Sequence, residues 1–240
     1  MIRIGTSGWN YPHWRGTFYP PHLPPQRWLT YYCRRFDTVE LNKSFYNLPS
    51  ANQFAAWAEA VPAGFTFAVK ANRYITHMKK LKDPAETSAR LTERARLLGD
   101  RLGPVLFQLP PRWRVNTERL ASFLAALPPQ HRYVFEFRDP SWMCPEVTRL
   151  LQEHGCAMCI YELAGFRSPL EVTADFAYVR LHGPGAAYEG SYDRETLAAW
   201  ADWARRQHHA GIDVYIYFDN DQHGYAPANA AELHRLMQQP

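Results

Sequence analysis

Ionisable residues recur at alternate positions of short apolar runs in this chain. In Thr38-Val39-Glu40-Leu41-Asn42, successive side chains of an extended strand point to opposite faces, so Val39 and Leu41 share one face and Glu40 and Asn42 the other. The same alternation pairs Glu136 with Arg138, Arg180 with His182, Ala68 with Lys70, and Tyr217 with Asp219. Glu40, Glu136, His182 and Asp219 are of the types that move protons when their surroundings tune them, and are the candidate catalytic residues. Lys70, Arg138 and Arg180 are suited to hold an anion, arginine by a bidentate grip. The chemistry this set points to is acid/base work on an anionic, phosphate-bearing small molecule.

Such residues converge only if the strands that carry them are parallel and form one ring. Strand-like runs are expected at Ile2–Gly5, Thr38–Leu41, Thr66–Lys70, Val105–Leu109, Tyr133–Phe137, Ala157–Tyr161, Tyr178–Leu181 and Val214–Phe218. Eight is the number that closes a parallel barrel. Helical stripes fall between most of them, as in Trp28, Leu29, Tyr32, Cys33 and Phe36, or Phe54, Trp57, Ala58 and Val61. Asp83-Pro84 is expected to cap and open a third helix, Leu120, Phe123, Leu124 and Leu127 mark a fourth, and Gly165–Thr173 shows little helical pattern. The fold expected is one (β/α)8 TIM barrel, eight parallel strands ringed by helices, spanning residues 1–240 as a single domain. Its apolar strand faces pack under the helices. The ionisable faces then line the bore at the strands' C-terminal ends, where barrels of this type build their sites.

Composition sets outer bounds. The 240 residues suit one barrel, and the 46% hydrophobic content is enough for a sizeable core. No apolar run reaches the roughly 18–20 residues needed to cross a bilayer, so no membrane partner is expected. The start reads as strand and loop and not as a signal peptide, and a cytoplasmic location follows as the default. Cys156 and Cys159 form a C-x-x-C inside a strand-like run, which puts the two sulfurs on opposite faces and makes them buried thiols, not a metal pair. Net charge is only +4, yet residues 66–119 hold twelve Lys or Arg against five Asp or Glu. Basic and aromatic residues mingle in the expected loops: Trp9, Tyr11, His13 and Trp14; then Arg73, Tyr74, His77, Lys79, Lys80 and Lys82; then Arg112, Trp113 and Arg114. These would suit a phosphate and a ring to stack on.

A series of motifs runs in order along nearly the whole chain: Gly5-Thr6-Ser7-Gly8-Trp9, Val39-Glu40-Leu41-Asn42 with Phe45-Tyr46, Val69-Lys70-Ala71 with Thr76-His77, Gln108-Leu109-Pro110-Pro111, Glu136-Phe137-Arg138 with Trp142, Arg180-Leu181-His182-Gly183, and Tyr217-Phe218-Asp219-Asn220. This series resembles the YecE-like family, domain of unknown function 72. The resemblance implies a TIM barrel and a cytoplasmic protein, and no established activity. With it, Trp9, Asn42, Tyr46, His77, Gln108 and Asn220 join Lys70, Arg138 and Arg180 as candidate substrate-binding residues. The chain departs from the pattern at Asp219, where the family usually has Asn, so no role carries over to that position.

Three alternatives stand beside the anion-pocket reading. The charged bore residues can be a self-satisfied ion-pair network that plugs the barrel. The Lys79–Lys82 and Arg112–Arg114 regions can bind nucleic acid, with a steep salt dependence. Glu40, Glu136, His182 and Asp219 have the right types for a metal-dependent hydrolase like the barrel endonucleases, a likeness of fold only. Against that, Lys70, Arg138 and Arg180 compete for the same carboxylates; no metal ligand and no cofactor are assigned. Glu40 and Glu136 lie on strands too far apart for a retaining glycosidase, and Ser7 and Cys144 lack the context of a nucleophilic triad.

Overall fold

A computed structural model describes residues 1–239. The strands are β1 (Ile2–Thr6), β2 (Thr38–Leu41), β3 (Thr66–Lys70), β4 (Leu102–Gln108), β5 (Tyr133–Glu136), β6 (Ala157–Leu163), β7 (Phe166–Arg167), β8 (Phe176–Leu181) and β9 (Asp213–Phe218). All but β7 pair in parallel, in the order β1-β9-β8-β6-β5-β4-β3-β2. The eight expected strands are therefore present. Strands β1, β6, β8 and β9 run slightly longer than their sequence patterns, β4 begins earlier, and β4 and β5 each stop just short of the expected end. Strand β7 has no counterpart in the sequence pattern: it forms a two-residue antiparallel hairpin with β6, where Gly165 takes φ +78° at the turn. It occupies the stretch that lacks helical periodicity.

The helices are α1 (Trp28–Tyr32), α2 (Lys43–Tyr46), α3 (Ala51–Ala60), α4 (Pro84–Ala95), α5 (Thr117–Ala125), α6 (Pro145–Glu153), α7 (Arg194–His209) and α8 (Tyr225–Met237). Helix α4 opens at Pro84 as expected. The Asp83 carboxylate, however, does not cap it: the residue sits in the left-handed region (φ 51°) and its side chain accepts from Lys79 instead. Two cores result from the strand alternation. Val39, Leu41, Phe67, Val69, Phe135, Phe137, Val179, Leu181, Ile216 and Phe218 pack outward beneath the helices. Ala68, Leu106, Val134, Cys159, Tyr178, Tyr215 and Tyr217 fill the bore. Cys156 belongs to the outer core and Cys159 to the inner one, both buried and free.

The ring closes differently at one seam. Strands β1 and β2 share a single parallel bridge, Ser7 to Glu40, with the Gly8 amide donating to the Glu40 carbonyl (2.8 Å). Below it the fully buried Tyr32 hydroxyl takes the place of a ladder bond. It accepts from the Thr6 amide and hydroxyl (2.9 Å each) and donates to the Thr38 carbonyl (3.0 Å). Gly5 makes this closure feasible, because a Cβ there would lie 2.3 Å from the Thr38 carbonyl oxygen. Replacing Tyr32 with Phe leaves buried groups on both strands unpaired, at about 1–3 kcal/mol. Thermal unfolding of Tyr32→Phe should show a fall in Tm of several degrees, at about 2–4 °C per kcal/mol for a chain of this size.

Candidate functional site

Strands β2, β5, β8 and β9 deliver Glu40, Glu136, Arg180 and, one residue past its strand, Asp219 to the same level of the bore, near its C-terminal end. Arg180 is completely buried at their centre. Its Nε donates to Glu40 Oε2 (2.9 Å) and its Nη2 to Glu40 Oε1 (2.7 Å), the bidentate fork that a planar guanidinium favours. Nη1 donates to Glu136 Oε2 (2.8 Å) and faces His182 Nε2 at 3.2 Å. Nη2 also reaches Asp219 Oδ2 (3.0 Å) and Ser7 Oγ (3.1 Å). Of the five N–H groups of a guanidinium, four reach oxygen acceptors within the protein and the fifth shares His182 Nε2 with Arg138.

Glu40 and Glu136 are engaged on both oxygens, Asp219 on Oδ2. Glu40 accepts further from the Ser7 hydroxyl and from Tyr178 (2.6 Å). Glu136 accepts from Arg138 Nε, and the Cys159 thiol lies 3.8 Å from its other oxygen. Burial by itself would raise the Glu136 and Asp219 carboxyls. The guanidiniums of Arg138 and Arg180 beside Glu136, and of Arg180 beside Asp219, outweigh it and hold both below their ordinary values. His182 is fully buried; burial and the Arg180 charge push its pKa down. Its Nε2 accepts from Arg138 Nη2 (3.0 Å), which leaves the imidazole proton on Nδ1, 3.0 Å from Asp219 Oδ2 but off the line of a good hydrogen bond.

Two cationic groups at this centre keep donors without a partner among the described residues. Arg138 lies over the Tyr161 ring (4.8 Å), and its Nη1 has no hydrogen-bond partner among the described residues. Lys70, only 8% exposed, has neither a carboxylate in ion-pair range nor a hydrogen bond for its ammonium among the described residues. Its Nζ lies 4.4 Å from the centre of the Phe45 ring. Burial, helped by the Arg180 charge, lowers its pKa to about 8, although Glu40, Asp219 and Glu136 oppose the shift. His77 meets the same Phe45 ring edge-on (5.1 Å); burial and Arg73 lower it to about 4.

The other sequence candidates scatter. Asn42 does not enter the bore, because the chain turns helical there (φ −84°, ψ −26°) and the strand alternation ends. It lines instead a cleft of about 530 Å³ between α1 and α3, with Trp9, Tyr11, Gln26, Gln53 and Trp57, and its buried Oδ1 has no partner. Trp9 meets Trp57 edge-on (5.5 Å). Tyr46 is 66% exposed beyond Phe45. Gln108 ends β4 half-buried, and Asn220 is tied by its Nδ2 to the Gly190 carbonyl (2.8 Å) and to Asn229 Oδ1 (2.9 Å). Ser7, Phe45 and Tyr178 are site residues that the sequence pattern does not single out. Their signals are the motifs Gly5-Thr6-Ser7-Gly8 and Phe45-Tyr46 and the inward register of Tyr178. For the metal reading, no group of three or more His, Cys, Asp or Glu among the described residues is arranged to hold an ion, since each carboxylate faces a guanidinium.

The geometry defines a parallel (β/α)8 barrel with a charged centre. The chain belongs to the family described as "Protein of unknown function DUF72", which matches residues 3–240. It is 26% identical over 271 residues to the UPF0759 protein YunF of Bacillus subtilis, covering 99% of this chain and 95% of that one. The UPF0759 protein YecE of Escherichia coli K12 is 29% identical over 143 residues, 59% of this chain and half of that protein. Among solved structures, the DUF72 family protein TM1631 of Thermotoga maritima superposes with a TM-score of 0.90 at 29% identity, covering both chains fully. A DUF72 family protein of Enterococcus faecalis gives 0.79 at 18% identity, covering all of this chain and 96% of that one. No helix among the described residues is long and apolar enough to cross a membrane.

Removing Arg180 would leave buried Glu40 and Asp219 without a guanidinium and take one of two from Glu136. Arg180→Met should lose about 3–5 kcal/mol, on the order of 10 °C in Tm by calorimetry. The pH dependence follows from the shifts. His182 has its folded pKa below the unfolded value of about 6.5, so the unfolded chain binds more protons below that pH and stability falls as pH falls through it. Glu136 and Asp219, held low, add a second loss as pH drops below about 4. A melting series from pH 8 to pH 3 should therefore decline in two stages, and His182→Gln should shrink the first, the remainder belonging to His77 and His131, which are also held low.

Proposed function

We propose that this barrel binds a small anionic, phosphate-bearing molecule at its C-terminal mouth and acts on it by acid/base chemistry. The observation that carries the proposal is the Lys70 ammonium, nearly buried yet without an anion of its own. A buried charge is normally paired, because its desolvation is otherwise uncompensated. Arg138 supports the reading, since Nε and Nη2 fix its plane and Nη1 remains for a ligand oxygen. Arg180 is a poorer clamp than its sequence position suggests, because a ligand would have to displace an internal acceptor. It serves better as the scaffold that fixes Glu136, and through Glu136 the angle of Arg138. An amine titrating near 8 can exchange protons at neutral pH, so Lys70 is also suited to proton transfer. His77, held neutral, is the acceptor nearest in character.

The test is a melting panel with inorganic phosphate, sugar phosphates and a single-stranded oligonucleotide at low and high salt. A ligand bound only by the folded chain at about 100 times its Kd adds roughly 2.7 kcal/mol. The expected outcome is stabilisation by a small phosphorylated compound that Lys70→Met abolishes and Arg138→Leu weakens. Stabilisation by the oligonucleotide alone, collapsing with salt, would overturn this reading in favour of the exposed basic loops.

A further inference from the structure

We propose that Lys70 is a carbonyl-trapping amine, which forms an imine with a short anionic aldehyde or ketone held at the mouth of the barrel. The inference rests on the anion-binding reading above and names the reactive group of its ligand: a 2-oxo acid or a phosphorylated hydroxycarbonyl compound.

Position sets Lys70 apart from the other lysines. Lys43, Lys80 and Lys82 are exposed, and Lys79 pairs with Asp83 at 3.1 Å. Lys70 alone ends a barrel strand, and its Nζ is held beside an aromatic ring, not a carboxylate. A lysine paired with a carboxylate is kept protonated and unreactive. One enclosed by Phe45, with Arg180 deeper in the bore, is more easily left as the free amine, which is how desolvated lysines become nucleophiles. None of the three bore carboxylates lies within ion-pair range of its ammonium, and each already has Arg180 as a partner. Arg138 Nη1 offers an anchor for the carboxylate or phosphate of the same molecule.

The step balances without an oxidant or reductant. The ammonium first releases one proton to solvent. The amine lone pair then adds to the carbonyl carbon, and the carbonyl π electrons move onto oxygen, giving a carbinolamine. The oxygen leaves as water with the two amine hydrogens, and a C=N bond replaces C=O. Hydrolysis reverses the sequence.

The experiment treats the whole protein, near neutral pH, with pyruvate or glycolaldehyde phosphate and sodium cyanoborohydride, followed by peptide mapping. Lys70 should gain the reduced adduct about tenfold faster than any other lysine, since a pKa about two units lower gives on the order of a hundredfold more free amine, offset in part by enclosure. Lys70→Arg keeps the cation but cannot form an imine, and should yield no adduct at that position. If phosphate stabilises the wild-type protein but Lys70 stays unmodified while surface lysines label, the imine is overturned and the anion site stands. If phosphate compounds give no stabilisation and Lys70 is unlabelled, both are overturned. The wild-type map decides the matter even where the variant does not fold.

Discussion

The buried guanidinium of Arg180 is the constraint around which the rest of the molecule is arranged. A charge moved from water into the bore of a barrel must meet opposite charge and fill every donor, or it destabilises the fold by several kcal/mol. Here it meets Glu40, Glu136 and Asp219, which come from three different strands, and the hydroxyl of Ser7 after a fourth. The strands cannot slip by one residue without turning these groups out beneath the helices, so the ion network also fixes register. It even reaches the seam of the barrel. The single bridge between β1 and β2 joins Ser7 to Glu40, the residues whose side chains also meet.

Satisfying Arg180 determines which donors of the centre remain unpaired. Three carboxylates face two guanidiniums in the inner network, and the third positive charge belongs to Lys70, which balances the others at a distance and pairs with none. Each acid of the centre thus has a guanidinium partner, while a lysine and one arm of an arginine have none among the described residues. Rigid support from below and free donors above are what preorganised recognition requires. The cleft between α1 and α3 lies outside the bore. Its rings and amides, Trp9, Trp57, Gln26 and Gln53, are of a different character from the charged centre.

The fold is legible in the sequence because a parallel barrel imposes one periodicity on every strand. Val39 and Leu41 facing helices imply Glu40 facing inward, and the same logic holds for Phe135, Val179 and Ile216. The C-x-x-C divides between two cores for the same reason. What the alternation conveys is direction, not partnership. Glu40 and Arg180 are 140 positions apart, and no local pattern says that one guanidinium will use every acceptor within reach. Where the backbone leaves the strand, the period fails: Asn42 has already turned into a helix, and Asn220 is held by Asn229 of α8. Tyr32 reads in sequence as one more member of an apolar helical stripe, and only the closed ring gives its hydroxyl three partners.

The central claim is a division of labour, with Arg180 as structure and Lys70 with Arg138 as the ligand-facing pair. Crystals soaked in selenate and measured at the selenium absorption edge test it most directly, because the anomalous signal locates the ion whatever the natural ligand is. The account predicts an anion against Lys70 Nζ and Arg138 Nη1, with Arg180 unmoved between Glu40, Glu136 and Asp219. An anion bound by Arg180, with that side chain swung away from Glu40 and Lys70 left unoccupied, would contradict it.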